Sequence, residues 1–293
     1  MKLDSDTNIL IVGLGLMGGS YARALTKKGY RVGAITNEKH SLDYALEHGI
    51  IAYGADTPDP DLIRAADLVV FALYPHVFLD WAAAYGHLLK PGAWATDVTG
   101  VKSGIVTEVQ RLLPQDVEFI AAHPMAGREV YGVENSDERI FQNANYIVVP
   151  TEKNTPEAIA LCEKLGEELG FSLISRLTPE EHDDMIGFLS QLTHVIAVTL
   201  MNCNQSPHME NYTGDSFRDL TRIARINDAM WSELFLLNRD ALLRHMDAFA
   251  ETFEQFRQAL KNGDTETMRD AMRRSTARRA RFDKDKEKET KKI

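Results

Sequence analysis

A histidine that follows a predicted buried strand has a residue type and a position that suit catalysis. Residues 121–130 read AAHPMAGREV and follow the apolar run VEFI, which places His123 at the end of a predicted strand. Pro124 restricts the histidine to an extended backbone, and Gly127 frees the following loop to approach a ligand. An imidazole with a pKa of about 6.5 suits proton transfer at neutral pH. We therefore interpret His123 as a general base; the alternative is a histidine that only caps a strand.

Other polar residues could join His123 at one site. The segment TDVTGVKSG follows the predicted strand AWATDV and offers Thr99 and Lys102. Ligands of doubly wound sheets bind beyond the carboxyl ends of the strands, so we expect these side chains near His123. Later in the chain, His194 lies in an apolar helical segment and could equally be a core residue. The stretch SFRDLTRIA (216–224) adds two arginines, whose planar guanidinium groups match carboxylates.

A glycine loop near the start of the chain predicts a dinucleotide site. The sequence ILIVGLGLMGGS places glycines in the spacing G-x-G-x-x-G directly after a predicted strand and before a predicted helix. The first glycine permits the tight turn, the second lets a pyrophosphate approach the backbone, and the third lets helix and strand pack closely. The residues expected to contact the cofactor here are Gly13, Gly15, Leu16, Met17, Gly18 and, after the strand DLVVFAL, Leu73.

The end of the second predicted strand bears on which dinucleotide binds. An acidic residue there would hold the ribose 2′-hydroxyl of NAD. This sequence has Thr36 at that position and Asn37 next, with Lys39 nearby. A neutral site beside a lysine favours the 2′-phosphate of NADP slightly over NAD, although Lys39 could equally point to solvent.

The elements that would position these residues form two different patterns. Six continuous apolar runs between residues 8 and 150 alternate with helical segments, and one more helix and strand follow. This order predicts a Rossmann-type, doubly wound, mostly parallel sheet over residues 1–176. Residues 177–293 have the composition of helices, beginning with Thr178 and Glu181 in a capping-box relation. Because these helices are strongly apolar, we expect an all-helical domain that forms a homodimer.

Composition favours a soluble globular protein that acts on a small molecule. The net charge is -10, and the basic end of the chain (residues 268–293) alternates lysine and arginine with acids, which favours a solvated tail over nucleic-acid or membrane contact. Two isolated cysteines predict neither disulfides nor a metal site. No apolar stretch of membrane-spanning length is evident, and the N-terminus lacks the pattern of a signal peptide, so we expect a cytoplasmic location.

Taken in order, these motifs resemble one family over nearly the whole chain. The segments GLGLMGGS, TDVTGVK, HPMAGRE, SQLTH, SFRDLTRIA and DAMW are similar to those of the prephenate/arogenate dehydrogenases of tyrosine biosynthesis. The resemblance implies a dinucleotide-binding domain followed by a helical dimerisation domain. It implies NAD(P)-dependent oxidative decarboxylation of prephenate to 4-hydroxyphenylpyruvate.

The resemblance also implies roles for individual residues. His123 would be the catalytic histidine on the ring hydroxyl, and Arg222 would hold the ring carboxylate. The remaining substrate contacts would be His194, Glu129, Trp231 and Thr99. One position departs from the family, which commonly has a serine two residues before the lysine of its D-x-x-S-V-K motif. This chain has Gly100 there, so the sequence leaves open which group supports the histidine.

Three alternatives remain at this point. Arogenate carries an amine where prephenate carries a ketone, and no single residue decides between the two substrates. A hydroxyacid dehydrogenase would need a lysine on the first long helix of the second domain, and residues 181–204 contain none. A catalytically silent dinucleotide-binding protein is the third alternative.

Overall fold

The computed structural model describes residues 3–282, so the acidic and basic residues predicted as a solvated tail beyond residue 282 lie outside the described part. The strands are β1 (Asn8–Val12), β2 (Arg31–Ile35), β3 (Tyr53–Ala55), β4 (Leu68–Phe71), β5 (Trp94–Asp97), β6 (Glu118–Phe119), β7 (Ala121–Met125), β8 (Asn145–Val149) and β9 (Leu173–Arg176).

The helices of the first half are α1 (Leu16–Lys27), α2 (Lys39–Glu47), α3 (Pro60–Ala65), α4 (Pro75–Tyr85), α5 (Ile105–Leu112) and α6 (Pro156–Leu169). Those of the second half are α7 (Pro179–Ile186), α8 (Thr193–Asn202), α9 (Asp215–Thr221), α10 (Asp228–Leu237), α11 (Arg239–Lys261) and α12 (Thr265–Arg279). A π-helical turn, Gly187–Leu192, joins α7 to α8 without a break in the helix.

Six strands form a parallel sheet in the order β3-β2-β1-β4-β5-β6, with helices between successive strands. Ile9, Leu10 and Ile11 in β1 and Val69 and Val70 in β4 are fully buried, as expected for strands covered on both faces. The predicted Rossmann-type fold, followed by helices, is confirmed. Reversal of the strand order at β1 and β4 creates the crevice in which such sheets bind ligands.

Two details of the sheet differ from the prediction. The sequence did not predict β3, whose three residues are too short to show a period. The predicted strand 117–122 is divided, because β6 ends the parallel sheet at Phe119 and β7 begins a second sheet at Ala121. In this three-stranded sheet β7 pairs antiparallel with β8, placing His123 opposite Ile147, and β8 pairs parallel with β9.

The first long helical segment of the second half begins as predicted. Thr178 accepts a hydrogen bond from the Glu181 backbone N–H, and the Glu181 side chain accepts one from the Thr178 backbone N–H. The segment Pro179–Asn202 is, by length and composition alone, long and apolar enough to cross a membrane, which corrects the expectation that no such stretch exists. However, its buried residues His182 and Asp183 make hydrogen bonds within the fold. The first turns of this segment are therefore held within the fold.

The described residues form two compact units, divided between Leu242 and Leu243. The predicted domain boundary at residues 176–177 lies inside the first unit and stays a prediction. In the described part of the second unit, the remainder of α11 and α12 are joined by a tight turn in which Gly263 has φ +68°. Four exposed apolar residues, Phe249, Phe253, Phe256 and Leu260, recur along α11 at the spacing of one helical face.

Candidate active site

The glycine turn between β1 and α1 has the geometry of a phosphate-binding loop. Gly13 has φ +97°, and a Cβ added there would lie 2.4 Å from the Ala72 carbonyl oxygen. A Cβ on Gly18 would lie 1.9 Å from the Gly13 carbonyl oxygen, so the helix packs directly against the turn. Gly15, by contrast, faces open space. The backbone therefore requires glycine at positions 13 and 18. The open space beside Gly15 is the side from which a ligand can approach.

The first turn of α1 suits an anion. Gly15 is the N-cap, no side chain caps the helix, and the first turn contains no acid. The N–H groups at a helix start have no partner within the helix, so those of Leu16 and Met17 are available to a phosphate that the helix dipole also attracts. Leu73, after β4, lies against Gly13, with its Cδ2 2.9 Å from the position of an added Cβ. These residues fit the pyrophosphate of a dinucleotide.

The position that discriminates between dinucleotides is neutral. Thr36 directly follows β2 and is buried, and Asn37 after it is exposed. The Glu38 carboxylate accepts a hydrogen bond from a serine hydroxyl of α2 at 2.8 Å and is thus engaged away from a ribose. Lys39 pairs with Asp43 at 3.1 Å on the exposed surface of α2. Such exposed pairs stabilise little, so the lysine remains available to a phosphate.

A fully buried ion pair braces the strand that carries His123. The Lys102 Nζ donates to the Asp97 carboxylate at 2.6 Å and to the Ala122 carbonyl at 2.7 Å. Asp97 in turn accepts from the Ala122 backbone N–H at 3.1 Å. Burial lowers the pKa of Lys102, although the Asp97 charge opposes that change. Both polar groups of the residue before His123 are therefore fixed, and loss of one partner of such a pair costs about 3–5 kcal/mol.

Thr99 belongs to this buried network. Its hydroxyl lies in hydrogen-bond contact with the Asp97 carboxylate and with the Val101 carbonyl, and it accepts from Lys102 at 3.2 Å. The side chain is buried. The Thr99 hydroxyl is therefore engaged within this network, and its predicted contact with substrate stays a prediction.

A second histidine supports His123. The His123 Nδ1 lies 2.8 Å from the Nε2 of His182 on α7, and the His182 Nδ1 lies 2.7 Å from the Asp183 carboxylate. Burial, followed by the neighbouring His182 and Lys102, holds the pKa of His123 well below its usual value. Burial also lowers the pKa of His182, against the opposing effect of Asp183. Both imidazoles are therefore neutral at pH 7, as a base requires.

Asp183 is held by the loop after β5. Its two carboxylate oxygens accept hydrogen bonds from the backbone N–H groups of Lys102 at 2.8 Å and Ser103 at 2.7 Å. Burial acts to raise the pKa of Asp183, but its hydrogen bond with His182 and these two N–H groups outweigh burial, and the pKa lies below the usual value. Asp183 is thus an ionised carboxylate at neutral pH.

Gly100 lies beside the imidazole of His123. A Cβ added to Gly100 would lie 4.0 Å from the His123 Cε1 and 3.5 Å from a methyl group of Leu234. Both are ordinary contact distances, so the position is small without being strained. Because Gly100 has no hydroxyl to offer, the polar support of the imidazole comes from His182.

The four remaining residues predicted to bind substrate form two pairs, each in direct contact. Arg222 forms an ion pair with Glu129 from the loop after β7. His194 stacks on Trp231 with ring centroids 3.8 Å apart. Burial lowers the pKa of His194, and the charges of Glu129 and Arg222 also act on it, which places the two contacts near each other. Residues from the loop after β7, from α8, from the turn after α9 and from α10 thus form one cluster.

The other arginine of SFRDLTRIA is engaged elsewhere. Arg218 pairs with Asp215 at 2.5 Å and donates to the Thr213 carbonyl at 3.0 Å. Only Arg222 therefore contacts the cluster through a hydrogen bond or ion pair.

Helix α10 ties this cluster to the His182 pair. The Asn238 side chain donates to the Asp183 carbonyl and to the Gln191 side chain, both at 2.8 Å. Gln191 donates to the Leu234 carbonyl at 3.1 Å, and Leu234 is the residue that contacts Gly100. Asn238, Gln191 and Leu234 are buried, and Gly100 has no side chain. On this side, His123 is therefore surrounded mainly by packed protein.

Sequence reasoning missed His182, Asp183 and Asp97. His182 and Asp183 stand in the segment PEEHDD, which has the acid-rich composition of any first helical turn. The available signal was the histidine itself, because a buried histidine on that helix needs a partner.

Comparison with known proteins agrees with this geometry. The nucleotide-binding domain of prephenate dehydrogenase matches residues 21–175, and the dimerization domain of prephenate dehydrogenase matches residues 178–274. The chain is 31% identical to a prephenate dehydrogenase of Bacillus subtilis, over 89% of this chain and 72% of that protein. It is 30% identical to a cyclohexadienyl dehydrogenase of Zymomonas mobilis, over 88% and 89%.

A solved structure matches over nearly the full chain. The prephenate dehydrogenase of A. aeolicus, crystallised with hydroxyphenyl propionate and NAD+, superposes with a TM-score of 0.87 at 27% identity, covering 96% of this chain and 100% of that one. A dinucleotide-binding domain followed by a dimerization domain is thus the arrangement that the family models match in this chain. The chain belongs to the prephenate dehydrogenase family of nicotinamide-dependent oxidoreductases.

Proposed function

We propose that the chain catalyses the NAD(P)-dependent oxidative decarboxylation of prephenate to 4-hydroxyphenylpyruvate in tyrosine biosynthesis. The observation that carries this proposal is a neutral, hydrogen-bonded His123 on β7, in the same compact unit as a β1–α1 turn that suits a dinucleotide. The family membership and the named relatives support the substrate.

The reaction needs one base and a hydride acceptor. Prephenate is a cyclohexadiene with a carboxylate and a pyruvyl group on one carbon and a hydroxyl group opposite. His123 accepts the hydroxyl proton as the hydroxyl-bearing carbon loses hydride, and loss of the ring carboxylate as carbon dioxide completes the aromatic ring. The nicotinamide, when bound, supplies the hydride acceptor. Proton transfer to a positioned base accelerates such a step by roughly 100- to 10,000-fold.

The cluster formed by the Arg222–Glu129 and His194–Trp231 pairs would bind the two carboxylates and the ring. The Arg222 guanidinium offers a planar donor pair, and it is more than half exposed while Glu129 occupies it. The substrate carboxylate would displace Glu129, and the stacked His194 and Trp231 would contact the remainder of the molecule.

For the cofactor we propose that NADP is accepted, with a slight preference over NAD. Thr36 and Asn37 supply no acid that would repel a 2′-phosphate, the Glu38 carboxylate is engaged with α2, and Lys39 is exposed nearby.

We also propose that the chain is a soluble cytoplasmic homodimer. The match to a dimerization domain over residues 178–274 supports a dimer, and so do the exposed apolar residues at one-face spacing on α11.

The test is reduction of the nicotinamide, followed by absorbance, with four combinations of prephenate or arogenate and NAD or NADP. We expect turnover with prephenate, faster with NADP. Turnover only with arogenate would make this an arogenate dehydrogenase. No turnover with either substrate would favour a silent dinucleotide-binding protein. His123→Asn should lower kcat by at least about 100-fold, while cofactor binding, measured by fluorescence, stays unchanged.

A further inference from the structure

We propose that Asp183 and His182 form a positioning pair that sets the tautomer of His123, so that Nδ1 carries a proton and Nε2 is the basic nitrogen. The inference rests on the proposed function, in which His123 is the base. The geometry assigns the proton on every nitrogen of the chain Asp183–His182–His123, starting from its acidic end.

The assignment follows from the donor and acceptor roles of each group. An ionised carboxylate only accepts hydrogen bonds, so the His182 Nδ1, 2.7 Å away, must carry the proton. A neutral imidazole has one proton, so the His182 Nε2 is an acceptor. The His123 Nδ1, 2.8 Å from it, must therefore donate. The His123 Nε2 is left with a free electron pair, which is what a base for the substrate hydroxyl requires.

Asp183, the acidic end of the hydrogen-bonded series Asp183–His182–His123, is held in place independently of the two histidines. The Lys102 and Ser103 backbone N–H groups donate to the two oxygens of Asp183. The charged side chains near Asp183 are Asp97 and Lys102. These two form an ion pair with each other, with the Lys102 Nζ 2.6 Å from the Asp97 carboxylate. Asp183 therefore stays ionised and oriented, and His182, which is fully buried, has no alternative orientation in water.

The pair has a second effect during the reaction. When His123 accepts the substrate proton, both of its nitrogens carry hydrogen and the ring becomes positive. Its Nδ1–H bond to His182 then becomes charge-assisted, and the ionised Asp183 lies at the far end of the same chain. The proton itself stays on His123, so no transfer to Asp183 is needed.

The need for such a pair is clear at Gly100. In the described part of the chain, the imidazole of His123 has one hydrogen-bond partner, which is His182. The position where the family commonly has a serine holds a glycine, and Leu234 packs beside it. With no hydroxyl there, loss of His182 would leave the imidazole free to rotate or to take the other tautomer.

The proposal is tested on the free protein and on turnover. Selective ¹⁵N-histidine labelling and NMR would report which nitrogen of His123 is protonated, with the His123 signal assigned from His123→Asn. We expect the Nδ1–H form in the wild type. His182→Leu removes the acceptor, and we expect kcat to fall roughly 100-fold with KM within about threefold. His182→Gln returns an acceptor oxygen and should recover at least about tenfold of that loss.

Two control variants separate this role from a general loss of structure. His40→Leu removes an exposed histidine of α2, and Glu180→Gln removes an exposed acid from the first turn of α7; both should retain wild-type kcat. Wild-type protein with the proton on the His123 Nε2 would overturn the proposal. So would a folded His182→Leu with unchanged kcat, or a loss confined to KM. If His182→Leu does not fold, the wild-type spectrum decides, and because it needs no substrate, it does so even if prephenate is not turned over.

Discussion

The Nδ1 of His123 and the Nε2 of His182 lie 2.8 Å apart, although the two residues are separated by 59 positions in the chain. His123 lies on β7, the edge strand of the three-stranded sheet, and His182 lies on α7, the first helix of the second half. The base is therefore complete only when α7 packs against the loop after β5, where Asp183 accepts two backbone hydrogen bonds.

We expect the acid limb of the pH profile to lie below the usual histidine value. The base works only when unprotonated, and burial, with the nearby His182 and Lys102, lowers the pKa of His123. The log of kcat/KM should therefore be level from pH 8 down to about 6.5 and fall only as the pH drops through the lowered pKa. A profile of initial rates at subsaturating prephenate measures this. A midpoint at or above 6.5 would contradict it.

Gly100→Ser should be tolerated. The added Cβ meets Leu234 at 3.5 Å and His123 at 4.0 Å, so we expect the free energy of unfolding to change by less than about 1 kcal/mol. We expect kcat to stay within about threefold of wild type, because His182 already orients the ring. Urea unfolding and initial rates test both statements. Gly100→Leu, which would collide with Leu234, is the matched control and should lose both stability and activity.

Arg222 and Arg218 offer a paired test of substrate binding. Arg222→Gln should raise KM for prephenate at least about tenfold, because the substrate loses a charge-assisted carboxylate contact. Arg218→Gln breaks the exposed pair with Asp215 and should leave KM within about twofold. Steady-state kinetics on both variants decides. Equal effects from the two substitutions would mean that Arg222 has no special contact with substrate.

The glycine turn predicts opposite outcomes for two similar substitutions. Gly18→Ala would place a Cβ 1.9 Å from the Gly13 carbonyl oxygen, so we expect a protein destabilised by several kcal/mol, about 3 or more. Gly15→Ala meets nothing within 4 Å, so the fold should persist while affinity for the dinucleotide falls at least about tenfold. Thermal unfolding and fluorescence titration with reduced cofactor separate the two. Equal cofactor affinity in Gly15→Ala and wild type would contradict this.

Lys39 tests the cofactor proposal. Lys39→Gln removes the nearby cation, so KM for NADP should rise about threefold to tenfold while KM for NAD stays unchanged. Lys28→Gln, which breaks the surface pair with Glu168, is the control and should change neither constant. The ratio of the two kcat/KM values measures the preference. A parallel change for both cofactors would show that Lys39 does not contact a 2′-phosphate.

The sequence predicted most accurately those features whose determinants are local. The glycine turn, the capping box at Thr178 and the apolar strands each depend on residues within a few positions of one another. The strand at 117–122 was predicted as one because its apolar run is continuous; its division depends on β7 pairing with β8, which lies some 25 residues later. Long-range pairing of that kind leaves no mark on a local pattern.

The candidate site shows the same difference between residues that a local motif reveals and residues that depend on long-range contacts. Five site residues were predicted from the family resemblance, and their roles stay predictions: His123, Arg222, His194, Trp231 and Glu129. The structure pairs Arg222 with Glu129 and His194 with Trp231. His182 and Asp183 had no comparable signal, because their function depends on the backbone N–H groups after β5. The hydrogen bonds of Thr99 with Asp97 and Lys102 were not predicted, since its position after a strand does not reveal which way its hydroxyl turns.

The π-helical turn Gly187–Leu192 has a consequence for helical phase. His182 and His194 lie twelve positions apart on one continuous helix, and in a regular α-helix of 3.6 residues per turn they would be about a third of a turn out of alignment. The wider winding of the π turn takes up part of that angle. It brings the histidine that orients the base and the histidine that stacks on Trp231 toward the same side. Winding this turn as a regular α-helix at unchanged length would rotate everything after it, so His194 would turn away from Trp231 while His182 stayed in place.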